Sequence, residues 1–144
     1  MDLQKAIAPL GYYNERAKIF HEIANHVQNN FEEKIPNSKE DLMKIPHIGQ
    51  YTAGAVLSIG FGISSSMVDS NVERIIRRFF CSIIPLKGKM SQIIKAAELL
   101  VPKKNHGIYN LALVDLGSLV CRFDKPRCDI CPLKERCDLL RYSQ

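Results

Sequence analysis

The chain lacks most of what marks a membrane-spanning, secreted or extended protein. No apolar run reaches the roughly 18 residues that a membrane helix needs. The first ten residues carry Asp2 and Lys5 where a secretory signal has an unbroken apolar core. Strict alternation of apolar and polar residues, the signature of a half-buried strand, is almost absent. There is no internal repeat, no low-complexity tract and no flexible linker. A disulfide framework is disfavoured by where the cysteines fall: four of the five crowd into the last quarter with no secretory signal ahead of them. These absences predict a soluble, intracellular (cytoplasmic) protein built from helices, with metal ligation as the use of the cysteines.

What is present fits that expectation. The 144 residues are 46% hydrophobic, enough for one compact domain or two small lobes sharing a core. A net charge of +5 and a pI near 9.0 favour polyanionic partners. Apolar residues recur at three and four. Ala17, Phe20, Ile23, Ala24 and Val27 share one face of a helix predicted from about Asn14 into the Asn29-Asn30 pair, and Gly11 ends a shorter helix before it. Ser38 and Asp41 bound a capping-box pattern opening a short helix stopped by Pro46, and Tyr51 to Gly60 reads as a buried helix. Ser70 with Glu73 reads as a second capping box, opening a basic helix through Arg74, Arg77 and Arg78. Two further apolar helices are predicted at about Ser91 to Val101 and Ile108 to Cys121. The predicted fold class is all-α.

Cys121, Cys128, Cys131 and Cys137 are spaced C-x6-C-x2-C-x5-C, which wraps four thiolates around one centre at low closure entropy. Zinc and an iron-sulfur cluster both take four cysteines, and spacing alone leaves both open. With Pro126 in the first loop and Pro132 after the third cysteine, the segment resembles the terminal cluster loop of the endonuclease III and MutY glycosylases. That resemblance implies a 4Fe-4S cluster of largely structural role. It makes Arg122, Lys125 and Arg127 a phosphate-contacting finger, beside the reading as a solvated charged loop. Cys81, alone among apolar neighbours, is expected to be a buried thiol.

Two other segments extend the resemblance. Leu42 to Ala53, with Ile45-Pro46-His47-Ile48-Gly49-Gln50 at its centre, is similar to the family's helix-hairpin-helix, which anchors a phosphate with backbone N-H groups and a helix N-terminus. His47 stands where the family has its first glycine, so it must tolerate an unusual φ or the turn must differ. Some twenty residues on, Met67 to Arg74 is similar to the family segment that carries an essential aspartate. The resemblance makes Asp69 the catalytic carboxylate, set against the deoxyribose C1′ of an extruded nucleotide, with Asn71 supporting it. Capping of the following helix is the competing reading of Asp69, and an exposed polar position that of Asn71.

Tyr51 falls where bifunctional relatives place a lysine that forms a Schiff base, which a phenol cannot do. The resemblance therefore implies monofunctional hydrolysis. A tyrosine there is similar to archaeal-type thymine glycosylases acting on T·G mismatches, whereas Leu10 to Tyr13 and Leu113 to Gly117 are at least as similar to the adenine-removing MutY proteins. Tyr12 is implied as the wedge that fills the gap left by the flipped base, against a reading as a core tyrosine.

The expected organisation is a partial six-helix lobe over residues 1–81, holding the hairpin at about 38–61 and the Asp69 segment, followed by an iron-sulfur lobe over 82–144 with the cysteine loop at 121–137. The expected function is base-excision repair: a DNA N-glycosylase, or its carboxyl-terminal portion, acting in the nucleoid on double-stranded DNA with a flipped base, T or U opposite G favoured over A opposite G or 8-oxoguanine. A non-catalytic DNA-binding fragment and a zinc-stabilised interaction domain are the alternatives. Relatives begin with several more helices, so completion by an N-terminal segment, a partner chain or self-association is expected.

Overall fold

In the computed structural model, which describes residues 3–142, all regular structure is helical and no strand occurs among the described residues. Helix α1 spans Leu3–Ile7 and runs into a 3-10 turn, Ala8–Leu10, whose C-cap is Gly11 at φ 69° and ψ 163°, a conformation glycine adopts without penalty. Helix α2 spans Tyr13–Asn30. Of its predicted apolar face only Ala17 is fully buried; Ile23 and Val27 are half-buried, while Phe20 and Ala24 are exposed. Helix α3 is a single turn, Lys39–Leu42. Ser38 Oγ accepts from the Asp41 amide at 3.1 Å and donates to the Asp41 carboxylate at 2.7 Å. The helix stops at Leu42, short of Pro46, because the next bonds tighten to i→i+3, from Lys44 to Asp41 and from Ile45 to Leu42.

The chain divides into two compact units, with the boundary after Gly49. The sequence suggested a boundary near residue 81. The physical reason for the difference lies in helix α5, Ser70–Phe79, whose buried Val72, Ile75 and Ile76 seal against later helices. The core of the second unit joins Val72 and Ile76 of α5 to Ile84 and to Ile93 and Ala97 of α6, Met90–Leu100, with Val68, Phe80, Leu113 and Val114 packed around them. Each such aliphatic side chain contributes about 1.5–3 kcal/mol on burial, so the segment carrying Asp69 is folded by residues beyond 82.

Two helices change register. Helix α4 spans Gln50–Ala55 and continues as a π turn, Val56–Gly60, where Phe61 N donates to Val56 O. Helix α7 spans His106–Asp115 and continues as a π turn, Leu116–Val120, where Cys121 N donates to Leu116 O at 2.7 Å. Such turns insert one residue and rotate the chain beyond them. Here they re-aim the loop after α4 and the first cysteine. The chain closes with short 3-10 turns at Cys128–Ile130 and Lys134–Arg136 and with α8, Asp138–Tyr142. No helix among the described residues is long and apolar enough to cross a membrane.

Candidate active site and cysteine cluster

The hairpin turn has the unusual backbone that its sequence required. His47 sits at φ 64°, a left-handed conformation that costs a non-glycine residue about 1–2 kcal/mol. Its imidazole Nε2 lies 2.5 Å from Glu22 Oε2 on α2, a contact that compensates in part. The hydrogen bond from His47 holds the Glu22 carboxyl below its ordinary range. His47 and Gly49 are exposed, with Ile48 and Gln50 half-buried, and a Cβ built on Gly49 would meet nothing within 4 Å. That open face lets an outside group come against the backbone. In the same unit Tyr12 caps α2 from the left-handed region, at φ 49°, and is 85% exposed, which removes the reading of Tyr12 as a core tyrosine.

Asp69 caps α5, not Ser70 with Glu73 as the sequence suggested. Its Oδ1 accepts from the Val72 amide at 2.8 Å, the bond an N-cap makes. Glu73 instead pairs with Arg77 at 2.8 Å, one turn on. Capping uses only one of the carboxylate's oxygens. The other, Oδ2, accepts from Asn71 Nδ2 at 2.9 Å, so Asn71 is no idle surface residue. Asn71 Oδ1 accepts in turn from Arg74 Nη2 at 2.7 Å. Arg74 also donates to the Gly117 carbonyl at 2.7 Å and, through Nε, to the Cys121 carbonyl at 2.8 Å. A continuous chain of bonds thus runs from Asp69 to the backbone of the first cysteine. Gly117 completes it sterically: a Cβ there would fall 2.5 Å from the Asn71 Cβ. Tyr51, the second residue of α4, is 40% exposed.

The four clustered cysteines are all half-buried and line one recess with Arg78, Val120, Pro126, Leu139 and Leu140. Burial, then the sulfurs of Cys121, Cys131 and Cys137, push the Cys128 thiol upward, with Arg78 opposing. Backbone bonds shape the enclosure: Arg127 N to Val120 O at 2.8 Å closes the six-residue loop, and Cys131 N to Cys128 O and Cys137 N to Lys134 O form the two tight turns. Among the described residues no three Cys, His, Asp or Glu side chains converge as a single ion requires. The four thiols line the same recess, a donor set of the chemistry that a structural zinc and an iron-sulfur cluster both take. Arg78 braces this loop, donating to Cys121 Sγ at 3.5 Å and to the carbonyls of Arg122 and Phe123 at 2.7 and 2.8 Å. Residues 122–127 are exposed, Arg122, Lys125 and Arg127 among them. Arg122 and Lys125 border a polar cleft with Asn71, Arg74 and Ser118.

Sequence reasoning missed the bracing roles of Arg74, Arg78 and Gly117. The available signal was the i,i+4 pairing of the two arginines on α5, read only as helix basicity. Cys81 also differs from expectation. It is half-buried, because it lies just past the end of α5 in the turn that leads away from the helix.

Residues 30–59 match the helix-hairpin-helix motif. The chain is 38% identical to an adenine DNA glycosylase of Buchnera aphidicola subsp. Baizongia pistaciae, over 89% of this chain and 36% of that protein. It is 32% identical to a thymine/uracil-DNA glycosylase of Methanothermobacter thermautotrophicus, over 94% of this chain and 62% of that protein. A solved thermostable thymine-DNA glycosylase superposes with a TM-score of 0.84 at 29% identity, covering 98% of this chain and 65% of its own. The chain therefore spans between about a third and two thirds of these relatives. An all-helical fold, a matched hairpin and this shared sequence lead to one conclusion: the chain belongs to the helix-hairpin-helix DNA glycosylase superfamily.

Proposed function

We propose that this chain carries the reacting carboxylate, the DNA anchor and the cluster site of a monofunctional base-excision DNA N-glycosylase. The observation that carries the proposal is the setting of Asp69: half-exposed, one oxygen spent on capping, the other held by an asparagine that is itself fixed by Arg74. Breaking a glycosidic bond builds positive charge on the sugar. A carboxylate whose orientation is fixed in advance by two donors favours that charge over the neutral ground state, and it is suited to orient the attacking water. Tyr51 supports hydrolysis over imine chemistry, because its phenol offers no amine.

Double-stranded DNA with a flipped base is the proposed partner. Ile48, Gly49 and Gln50 would anchor one phosphate through backbone amides, with His47 shaping the turn, and Arg122, Lys125 and Arg127 another through charge. Tyr12, exposed beside the turn at Gly11, would fill the gap left by the extruded base. Cys121, Cys128, Cys131 and Cys137 would hold a 4Fe-4S cluster. When bound, that group supplies structural closure of the loop.

T or U opposite G is the favoured substrate, on the strength of Tyr51 and the thymine/uracil relative. A second reading, adenine opposite G or 8-oxoguanine, rests on the 38% identity to an adenine glycosylase. The test is an abasic-site assay with duplexes containing T·G, U·G, A·G and A·8-oxoguanine. Product from T·G or U·G is expected. Product only from the adenine pairs would transfer the chain to the second reading, and none from any of them would overturn catalysis. Iron and sulfide analysis accompanies it: about four of each per chain is expected, and stoichiometric zinc would overturn the cluster assignment.

A further inference from the structure

Asn110 of α7 is 1% exposed and takes no part in the chemistry above, yet its side chain makes three hydrogen bonds. Oδ1 accepts from the Met67 amide at 3.2 Å; Nδ2 donates to the Ser65 carbonyl at 2.8 Å and to Ser58 Oγ at 3.0 Å. Ser58, itself buried, lies 2.8 Å from His106 Nδ1, and His106 Nε2 lies 3.2 Å from the Gly62 carbonyl. Carbonyls only accept, so Nε2 carries a proton, and in the neutral ring Nδ1 accepts from Ser58. The Ser58 oxygen then accepts from Asn110. Each proton in this chain has one place, and a reversed amide would set oxygen against the Ser65 carbonyl and nitrogen against the Met67 N-H.

These bonds bracket Ser66, and α4 touches the same residue. A Cβ on Gly54 would fall 2.0 Å from the Ser66 carbonyl oxygen, so the backbone of α4 lies directly against this segment. The hydroxyls of Ser65 and Ser66 are buried without partners. Those two side chains gain little by sitting here, while Met67 is buried; the backbone is held by the Ser66 amide, which donates to Glu98 Oε2 at 3.3 Å, and on either side of it by the two bonds to Asn110. Two residues past Met67 comes Asp69, with only Val68, packed on the core, between them. Packing alone would be met at lower cost by an apolar residue of similar volume than by a buried amide that needs three partners.

We propose that Asn110, its amide oriented by Ser58 and His106, is a positioning residue. It sets the register of residues 65–69 against the helix carrying Tyr51, and so sets where the Asp69 carboxylate stands. The proposal rests on the reading of Asp69 as the reacting carboxylate.

The test compares Asn110→Ala and Ser58→Ala with Ile84→Ala, a core truncation that leaves the network whole, in the full chain. Amide hydrogen exchange, single-turnover excision and duplex Kd are measured at a temperature where each variant is folded. Asn110→Ala is expected to speed exchange at the Met67 and Val72 amides by about tenfold or more. It is expected to slow excision about 100-fold, the order of effect for a displaced reacting group, with Kd held within about threefold. Ile84→Ala, for an equal fall in Tm, is expected to leave all three near wild type. Unchanged Val72 exchange in Asn110→Ala, or a rate loss no larger than that of Ile84→Ala, would overturn the proposal. Should Asn110→Ala not fold, Ser58→Ala decides on the same criteria, since it removes one of the amide's three bonds and its link to His106 while keeping Asn110 itself. If the wild-type chain excises nothing, the reading of Asp69 fails, and the exchange comparison alone decides the register claim.

Discussion

At the scale of single residues, the cap that Asp69 makes and the reacting role proposed for it can be separated by substitution. Asparagine caps a helix about as well as aspartate, so Asp69→Asn is expected to fold with nearly unchanged Tm while excision falls about 100- to 1,000-fold, the usual cost of removing a preorganised electrostatic group. Single-turnover assays beside thermal melts check this, and parallel loss of both would make Asp69 structural. Gly117→Ala tests the support from the other side. Its methyl would collide with Asn71, 2.5 Å away in the present geometry, so excision is expected to fall although neither Asp69 nor Arg74 is altered. His47→Gly removes the strain of φ 64° and is expected to raise stability by up to about 1 kcal/mol, less what the Glu22 contact contributes, as read by urea denaturation. The sign of the Glu22 effect is set by its lowered pKa. A carboxylate bound more tightly when ionised contributes at neutral pH and through the ordinary glutamate range, and that contribution is lost only as pH falls below it. A carboxyl-carbon NMR titration of Glu22 in wild type and in His47→Gly shows whether the midpoint returns upward when the imidazole is gone.

At the scale of elements, α5 joins the core to the site. Its apolar face, Val72, Ile75 and Ile76, is buried, and its basic face supplies Arg74 and Arg78 to the cysteine loop. A cavity in the core below it is expected to cost stability without touching the chemistry directly. Ile93→Ala, at a position of 0% exposure, is expected to lose about 2–5 kcal/mol in chemical denaturation. The buried face of α5, Val72, Ile75 and Ile76, emerged only in the structure, while the helix itself was legible in the sequence as a basic helix through Arg74, Arg77 and Arg78. The π turns after α4 and α7 were not. A register change of one residue costs little in local propensity, and only the tertiary positions of Cys121 and of the loop after Gly60 require it.

At the scale of the whole chain, charge governs how the proposed partner is bound. If the exposed loop at residues 122–127 contacts phosphates, each arginine or lysine removed from Arg122, Lys125 or Arg127 is expected to lower the slope of log K against log salt by about 0.9. Filter-binding titrations across ionic strength measure that slope, and an unchanged slope in the triple alanine variant would return this loop to mere solvation. Sequence by itself determined the helical class and the cysteine spacing, because periodicity, caps and ligand intervals are local physics, whereas the hairpin and the proposal of Asp69 as the carboxylate came from the resemblance of short contiguous segments to a family. Tertiary structure alone decided what those residues are tied to. The path from Asp69 through Asn71 and Arg74 to Cys121, and the hold of Asn110 on Met67, join positions more than forty residues apart. Such bonds exist only because burial of the apolar faces of α5 and α7 brings their polar edges within hydrogen-bonding reach.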